Sequence, residues 1–513
     1  MKLRKISLFL IIGLIFAPLA CEEGLDVINP NNPTPEIVEN EEGLKRVARG
    51  VYAAGGGWFE WITWQIHEHM GDNAVAPWIN WNFNRFHGNT ERIIYSDGTD
   101  WRTPEEDPTG RTQPEWIDFI NSRDDPQDSG VQFEWQSMYR INNDANLILQ
   151  TLESGVNFSG DAASKERGYY AWAYFWKGYT YSRIGLAYEY GLIIDDYGQT
   201  NNDYKTPEEM IAESNRMFDL AIQHAPNGIG AIIGEVQPAI YLTNVTEESF
   251  VQACHTLKAR NLLSVKKRNE MTTQDWQAVR NLAASGLQSN EGTFRISSDE
   301  ATHLVAITAT WRVANLWLSP SARVVQAARH DGDARGNLFV PHGFTTFMNR
   351  VTQPNVNTPY TALPPYGGTA PGLPLYLTSA EENMLILAEA ELALGNPGVA
   401  AGHIDAVREM QGANLPALGS ATVEDLRRER RIGLFMRNLG FYDARRFGEL
   451  SGCVEDLWVY RYDQEAAQLE LDENATICYG WAEHLPVPDH ETTFNPLDAT
   501  QQPASSQRKA VAQ

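Results

Sequence analysis

The side chains best suited to holding a ligand form an aromatic block near the N-terminus. Its aromatic members are Trp58, Phe59, Trp61, Trp64, Trp78, Trp81, Phe83 and Phe86. Tryptophan joins a large apolar surface to a polar tip, which favours it at binding surfaces. The first three tryptophans follow helical spacing, so we interpret them as core residues. Trp78 and Trp81 lie in a looser stretch with Asn neighbours, where the residues leave a binding role and a core role equally open.

Polar residues accompany the second half of this block, so that polar groups would stand at the edge of an aromatic platform. The candidate ligand-binding residues are Asp72, Asn73, Trp78, Trp81, Asn82 and Arg85, together with Trp311 and Trp317 from an irregular segment further along. Tyr360 and Tyr366 are further candidates in a loop rich in Pro and Gly.

Catalytic chemistry is not indicated by the sequence. His67-Glu68-His69 offers metal-ligand types, but its two His residues do not share a helix face as an i, i+4 pair would. Adjacent acids in a polar loop, as at Glu105-Glu106, are more often solvated than catalytic. No phosphate-binding loop, nucleophile elbow or acyl-transfer triad signature is found in the sequence. We therefore expect a binding protein that is not an enzyme and uses no metal or cofactor.

Composition narrows the class of partner. The 513 residues carry a formal net charge of −25, and an acidic surface repels phosphate backbones, so nucleic acid is not an expected partner. A hydrophobic share of 42% supports a real core, and the length suits one large or two ordinary domains.

The N-terminus has the pattern of an export signal that ends in a lipid-attachment site. Basic residues precede an apolar run at 6–17, which is shorter than the ~20 residues needed to span a bilayer. Cys21 follows the small residue Ala20 and precedes a polar stretch. The sequence thus predicts an exported lipoprotein held on a membrane through Cys21, and an ordinary secretory signal with an incidental cysteine is the alternative.

The other cysteines lie in different surroundings. Cys254 sits in an apolar helical pattern and is predicted to be a buried free thiol. Cys453 and Cys478 flank a polar segment, and a disulfide or two free thiols are both open for an exported chain.

Hydrophobic periodicity organises the rest of the chain. The predicted regions are a signal peptide at 1–20, a tether at 21–39, an N-terminal helical region at 40–230, a C-terminal region at 231–496 and a disordered tail at 497–513. Helices are predicted at 40–54, 58–70, 131–152, 162–190, 206–224, 247–266, 273–287, 379–394, 399–411 and 423–447. Loops are expected at 96–130, and irregular chain with a few short strands at 294–375.

Several predicted helices form hairpins. In the clearest pair, 383–409, the small Ala388 lies on the first helix and Gly395 at the turn, as in a tetratricopeptide repeat. We expect a mainly α fold in which tetratricopeptide-like hairpins form a scaffold, and long irregular loops with a few short strands form a second layer that carries function. A generic helical bundle is the alternative.

The C-terminal helices carry a more specific pattern. They contain Leu426-Arg427-Arg428-Glu429-Arg430-Arg431 and then Gly440-Phe441-Tyr442-Asp443-Ala444-Arg445-Arg446. This resembles the signature of the SusD/RagB family of outer-membrane nutrient-binding lipoproteins, with Gly433 in place of the usual acid and Phe441-Tyr442 in place of the usual pair. Segments at 376–390, at 485–496 and around Cys21 resemble further family landmarks in the same order, so the likeness spans nearly the whole mature chain.

The resemblance implies a function at the cell surface. SusD-like proteins capture a nutrient, usually an oligosaccharide and sometimes a peptide, and pass it to a SusC-like TonB-dependent transporter without hydrolysing it. Sugar rings would offer apolar faces to Trp and hydroxyls to Asp, Asn and Arg. Glu22-Glu23 resembles the signal that sends such lipoproteins to the outer surface. A surface protein-interaction scaffold, or a peptide-binding member without carbohydrate specificity, is the alternative.

The charges of the C-terminal helices have a structural interpretation. We expect Arg428, Glu429, Arg431, Asp443 and Arg445 to form one network that locks the last helices together, because a buried network of this kind is costly to break on one side.

Overall fold

The computed structural model describes most of the chain after residue 37. The described residues are 38–55, 60–75, 85–87, 90–102, 111–122, 130–236, 245–297, 319–329, 332–341, 360–362, 374–463, 465–466, 468–498 and 500–501. The predicted lipid site Cys21 lies outside these ranges, as do Trp78, Trp81, Asn82, Trp311 and Trp317. None of the described helices is both long enough and apolar enough to cross a membrane.

More than half of the described residues are helical, which confirms the prediction of a mainly α fold. The helices are α1 (Glu41–Gly55), α2 (Glu60–Met70), α3 (Gln113–Ile120), α4 (Gly130–Ser154), α5 (Ala162–Ala187), α6 (Pro207–His224), α7 (Ile229–Val236), α8 (Glu247–Ser264), α9 (Thr273–Ala284), α10 (Ala322–Ala328), α11 (Ala380–Ala393), α12 (Pro397–Met410), α13 (Val423–Gly433), α14 (Gly440–Arg446) and α15 (Asp489–Thr492).

Helix boundaries follow local chemistry where the signals are strong. Thr206 begins α6 as a capping box, in which its hydroxyl accepts from the Glu209 amide at 3.3 Å and the Glu209 carboxylate accepts from the Thr206 amide at 2.9 Å.

The predicted single helix at 423–447 is wrong, because the chain divides into α13 and α14. Met436 and Asn438 adopt φ angles of 60° and 63° between them, a left-handed backbone that no helix can continue through.

The core centres on α5, which is buried over most of its length. Trp172, Phe175 and Trp176 are at most 2% exposed, and the Phe175 ring stacks on Phe294 with centroids 4.4 Å apart. Helices α4, α6, α7 and α8 pack against α5. A helix that is buried on all sides suits a central position of this kind, and its buried polar residues, such as Lys177 and Arg183, are hydrogen-bonded.

The predicted hairpins are present. Helix α5 packs against α6, α8 against α9, and α11 against α12, and contacts between α9 and α11 join the second hairpin to the third. Gly395 has a φ of 83° at the turn of the third hairpin, which glycine adopts without strain. Cys254 on α8 is a buried free thiol, as predicted.

Strands join distant parts of the sequence. They are β1 (Ala74–Val75), β2 (Arg92–Ile94), β3 (Asp100–Arg102), β4 (Gly191–Leu192), β5 (Tyr204–Lys205), β6 (Arg295–Ser297), β7 (Ser319–Pro320), β8 (Phe339–Pro341), β9 (Tyr360–Ala362), β10 (Pro374–Tyr376), β11 (Ser451–Asp463) and β12 (Gln468–Gly480). The largest sheet has the antiparallel order β11-β12-β2-β3. The N-terminal and C-terminal regions therefore share one sheet.

Two features of this sheet differ from the sequence prediction. The long hairpin of β11 and β12 was not predicted, because register shifts between Val454 and Val459 interrupt the alternation that marks a strand. The segment 96–130, expected to be loops, also contains β3 and α3. Cys453 and Cys478 lie opposite each other in the hairpin and are joined by a disulfide.

Candidate ligand-binding site and the network that anchors it

The chain turns sharply after α2 and contacts the C-terminal half of the molecule. Asp72 has a φ of 52° at this turn, in the left-handed region. Gly71 approaches Gly440 so closely that a Cβ atom at residue 71 would lie 2.4 Å from the Gly440 carbonyl carbon. Because no side chain fits there without a backbone shift, glycine at 71 is what allows this turn to pack against the start of α14.

Asp72 lies at the centre of a buried group of polar side chains. Its Oδ1 lies 2.8 Å from His87 Nε2, and its Oδ2 accepts a hydrogen bond from the Tyr479 hydroxyl at 2.5 Å. Arg323 Nη1 lies 3.5 Å from the same Oδ2. Burial raises the pKa of Asp72, but the hydrogen bond and charge of His87 and the charge of Arg323 outweigh it, so the pKa lies below its usual value. The carboxylate is therefore ionised at neutral pH.

Asn73 connects this group to α13. Its Oδ1 accepts a hydrogen bond from Arg431 Nη1 at 2.7 Å, and its Nδ2 donates to Glu68 at 2.9 Å. Arg431 Nη2 also donates to Glu449 at 2.5 Å. The connected residues, which we call the anchoring network, are Asp72, Asn73, His87, Arg323, Arg431, Glu449 and Tyr479.

Glu449 balances the positive charges of this network. Its Oε2 accepts hydrogen bonds from Arg323 and Arg431, and its Oε1 accepts one from Arg427 Nε at 3.0 Å. Burial raises the pKa of Glu449, but the positive charges of Arg431, Arg323 and Arg427 outweigh it and bring the pKa to about 2. A single carboxylate is thus shared by three guanidinium groups.

The structure places the predicted ligand contacts Asp72 and Asn73 inside this network. They are 4% and 5% exposed, and their side chains bind protein partners. A ligand would have to displace those partners to reach them. Direct ligand contact by these two residues is untested, and the described geometry favours a positioning role for them instead.

Arg85 lies in a different environment from the other polar candidates. Its guanidinium carbon is 3.4 Å from the centre of the Trp116 ring, in a cation–π contact. Arg111 lies 4.3 Å from the Phe119 ring centre, and Phe119 is 53% exposed. Sequence reasoning missed Trp116 and Phe119 because they fall in the segment assigned to loops. The pattern Thr112-Gln-Pro-Glu115 at the start of α3 is a capping signal that could have revealed them.

The chain on both sides of the aromatic segment 76–84 is buried. Val75 precedes the segment, and Phe86 and His87 follow it, each fully buried. His87 is held by Asp72, and its ring meets Trp481 edge to face with centroids 5.4 Å apart. The described residues Val75, Phe86 and His87, on either side of the segment that contains Trp78, Trp81 and Asn82, are therefore held in the protein interior.

The β1–β7 pairing brings two candidate segments to one place. Val75 lies opposite Ser319, so the segment that contains Trp78 starts beside the end of the segment that contains Trp317. Strand β9 packs beside β7.

The charged residues of the C-terminal helices bind other partners than predicted. Glu429 is fully buried, and it accepts hydrogen bonds from Arg335 at 2.5 Å and 3.0 Å and from Arg408 at 3.1 Å. Arg428 binds Asp333 at 2.7 Å. The prediction of one mutual network among the five named residues is wrong here, because partners distant in sequence supply the opposite charges.

The same correction holds for α14. Asp443 accepts from Arg430 at 3.0 Å and from Arg446 at 2.9 Å. Arg445 has no carboxylate partner among the described contacts and donates instead to the carbonyl oxygens of Leu186, at 2.7 Å, and Ser264, at 3.1 Å. These contacts join α14 to the helical scaffold.

The side chains of the His67-Glu68-His69 triplet contact separate partners and do not converge on one metal centre. His67 Nε2 lies 2.7 Å from Glu134, and His69 Nδ1 lies 2.9 Å from the Ala74 carbonyl oxygen. Burial raises the pKa of Glu68 to about 8. Over the described ranges, no three His, Cys, Asp or Glu side chains are grouped so that they could hold a metal ion. Trp64 itself is 1% exposed and belongs to the core, as predicted.

Comparison with known proteins finds similarity of structure. No family model and no curated protein sequence matches the chain. A SusD-like protein from Bacteroides fragilis has a TM-score of 0.58 at 14% identity, covering 91% of this chain and 98% of its own. A SusD-like carbohydrate-binding protein from the same species has a TM-score of 0.59 at 13% identity, covering 90% and 99%. A further structure, solved with xylogluco-oligosaccharide, has a TM-score of 0.55 at 14% identity, covering 88% and 97%.

The fold of this chain is therefore the SusD-like fold. The likeness extends over nearly the full length of both partners in each comparison, so it covers the helical scaffold and the strand layer together. This confirms, at the level of fold, the resemblance found in the C-terminal helices.

Proposed function

We propose that this chain is a lipid-anchored protein of the outer cell surface that binds an oligosaccharide and passes it to a TonB-dependent transporter. The main support is the match to solved structures over about nine-tenths of the chain, among them one named as carbohydrate-binding and one solved with xylogluco-oligosaccharide. The candidate residues Trp78, Trp81 and Trp317 have side chains that suit sugar faces.

The proposed site works by holding aromatic groups ready for the ligand. The anchoring network and the β1–β7 pair hold Val75, His87 and Ser319, which are described residues that flank in sequence the segments containing Trp78 and Trp317. Fixing these points in advance reduces the ordering that binding would otherwise require, which raises affinity without any new contact. The role requires no bond to be broken in the ligand, so no catalytic residue is assigned.

Affinity electrophoresis and calorimetry with a panel of plant and storage glycans would test glycan binding. We expect the protein to bind at least one glycan, and we expect Trp78→Ala combined with Trp81→Ala to abolish that binding. Phe494→Ala is the matched control, since Phe494 is an aromatic residue that is 84% exposed and distant in sequence from the site.

Three outcomes would count against the proposal. Undiminished binding by the double variant would remove the proposed site while leaving the function intact. Binding to peptides and to no glycan in the panel would favour the peptide-binding alternative. Shortened products after incubation with a bound glycan would show that the chain is an enzyme.

The anchor and the transporter are tested separately. N-terminal mass spectrometry of protein extracted from membranes should find a lipid on Cys21, and Cys21→Ser should release the protein from the membrane fraction. Crosslinking in intact cells should capture a TonB-dependent transporter. An unmodified Cys21 in the membrane-extracted protein would contradict the anchor.

A further inference from the structure

The β11–β12 hairpin is divided into two parts by its register shifts. The regular pairing is interrupted between Val454 and Val459, where Asp456 adopts a φ of 57°. The residue pairs that join 451–454 to 477–480 lie on one side of this interruption, and we call them the hairpin base. Because regular pairing does not run across the interruption, the pairs beyond it do not by themselves set the register of the hairpin base.

The hairpin base lies against the anchoring network and against β2. Tyr479 donates a hydrogen bond to Asp72 and accepts one from Arg323 at 3.2 Å. The carbonyl oxygen of the preceding residue, Cys478, accepts a hydrogen bond from the Glu91 amide at 3.0 Å. The position of β12 in the hairpin base therefore decides whether the Tyr479 hydroxyl reaches the turn at Asp72.

Few side-chain contacts across the two strands hold this part of β12 in place. Two of the four pairs of the hairpin base contain a glycine, and Tyr479 itself lies opposite Gly452, which has a φ of 77°. Contacts between opposite side chains are what stabilise paired strands, and a glycine offers none. The pair next to Tyr479 is Cys453 with Cys478, which the disulfide joins covalently.

We propose that the Cys453–Cys478 disulfide positions the turn at Asp72. By holding Cys453 opposite Cys478 it sets the register at which Tyr479 faces Asp72, since a slip of one residue would turn the side chains of β12 to the opposite face. The turn is then held firmly in the oxidised chain and opens more often in the reduced chain. For its effect on ligand binding this role rests on the proposed function, because Asp72 precedes the candidate binding segment in the sequence.

The disulfide can be opened in the folded protein by an added thiol. Cys453 is exposed, whereas Cys478 is only 5% exposed, so a thiolate has access from the side of Cys453. With dithiothreitol, two electrons and two protons pass to the two cysteines, and the reagent closes into a cyclic disulfide.

Hydrogen exchange followed by mass spectrometry tests the positioning role on the mature protein without any ligand. The turn suits this measurement, because the Asp72 amide donates to the His69 carbonyl oxygen at 3.1 Å and the Asn73 amide donates to that of Glu68 at 2.9 Å. After reduction, the amides of residues 71–75 should exchange about tenfold faster or more. The amides of α9 should keep their rate, because that helix packs against α8 and α11.

Two sets of variants separate the disulfide from other causes. Cys453→Ala combined with Cys478→Ala should reproduce the effect of reduction, and dithiothreitol should then have no further effect. Val459→Ala is the matched control for a weakened hairpin, because Val459 is 1% exposed and lies beyond the interruption. It should speed exchange in β11 and leave residues 71–75 unchanged.

Unchanged exchange at residues 71–75 after reduction would overturn the proposal. Equal acceleration of those amides by Val459→Ala would also overturn it, because any weakening of the hairpin would then disturb the turn. If the double alanine variant does not fold, wild-type protein that is reduced after folding still decides.

A second measurement connects the disulfide to binding. A glycan that the wild-type protein binds in calorimetry should bind about tenfold more weakly after reduction, since the turn is then less ordered before the ligand arrives. Equal affinity in the oxidised and reduced forms would show that the turn does not position the binding site. A wild-type protein that binds no glycan would contradict the proposed function alone and would leave the exchange result as it stands.

Discussion

Two buried regions of this molecule are held together by different forces. Around α5, aromatic and aliphatic side chains such as Trp172, Phe175 and Phe294 pack against one another with almost no exposed surface. In the anchoring network, buried charges such as Asp72 and Glu449 are each matched by partners at hydrogen-bonding distance. Both regions are largely inaccessible to solvent, yet they respond differently to change.

The two regions respond differently because apolar packing has no preferred direction, whereas a buried ion pair requires specific partners. Apolar burial scales with area and has no preferred angle, so one well-fitting side chain can replace another. A buried ion pair must recover the cost of desolvation through its partners, and removing one partner leaves the others charged and unpaired. The core around α5 therefore supplies stability to the whole fold, while the anchoring network holds Asp72 and Asn73 at the start of the candidate binding segment.

The largest expected effect on stability comes from removing the carboxylate of Glu449. Glu449→Gln keeps the shape but removes the carboxylate that Arg323, Arg427 and Arg431 share, and should lower the free energy of unfolding by about 3–5 kcal/mol. Urea denaturation followed by circular dichroism measures this. Glu473→Gln, at an exposed position of β12, is the control and should change it by less than about 0.5 kcal/mol. Similar values for the two variants would show that the network adds no stability.

Acid should weaken the contact between Glu449 and its arginine partners in the wild-type protein. The pKa of Glu449 falls from its ordinary 4.5 to about 2 in the folded state, so its contribution is complete above about pH 4.5 and is lost as the pH falls toward 2. The full contribution is on the order of 3 kcal/mol. The difference in stability between the wild-type protein and Glu449→Gln should therefore shrink over this pH range, and a constant difference would contradict the assignment.

Removing the Tyr479 hydroxyl, which donates to Asp72, should have a smaller effect on stability. Tyr479→Phe removes the hydrogen bond that Tyr479 donates to Asp72 and the one that it accepts from Arg323, and should cost about 1–3 kcal/mol. Because Asp72 also holds His87, we expect weaker glycan binding as well, which calorimetry would measure. Tyr174→Phe is the control, a tyrosine of α5 outside the network. Unaltered glycan affinity in a destabilised Tyr479→Phe would show that the network supports the fold but does not position the site.

The smallest effect is expected in the apolar core. Met217 on α6 is 2% exposed. Met217→Leu conserves the volume of the side chain, so the free energy of unfolding should fall by less than about 1.5 kcal/mol. Ligand binding should not change. Thermal unfolding and the same calorimetric assay give both values. A loss as large as that of Glu449→Gln would remove the contrast between the two regions.

Sequence reasoning succeeded where the signal was local. The start of α6 at Thr206, the small residues of the α11–α12 hairpin and the position of Cys254 all depend on neighbouring residues, and each was predicted in its place. The C-terminal motif pointed to the SusD-like fold, although no family model detects it.

Sequence reasoning failed where the partner of a side chain is distant in the sequence. Tyr479 reaches Asp72 from more than 400 residues away, with a separation of 407, and nothing in either local sequence indicates the pairing. The long β11–β12 hairpin was hidden by its register shifts, and Trp116 by a polar segment rich in turn-forming residues. Whether Trp78 and Trp81 contact a ligand is still a prediction, since they lie outside the described residues.

The sequence by itself determined the helical scaffold, the hairpin order and the class of fold, because helix periodicity and capping act over a few residues at a time. Only the tertiary structure decided which charges are paired and where the candidate binding segments start. A buried carboxylate is stabilised by whichever cation the fold brings to it, and that choice depends on packing between helices and strands hundreds of residues apart.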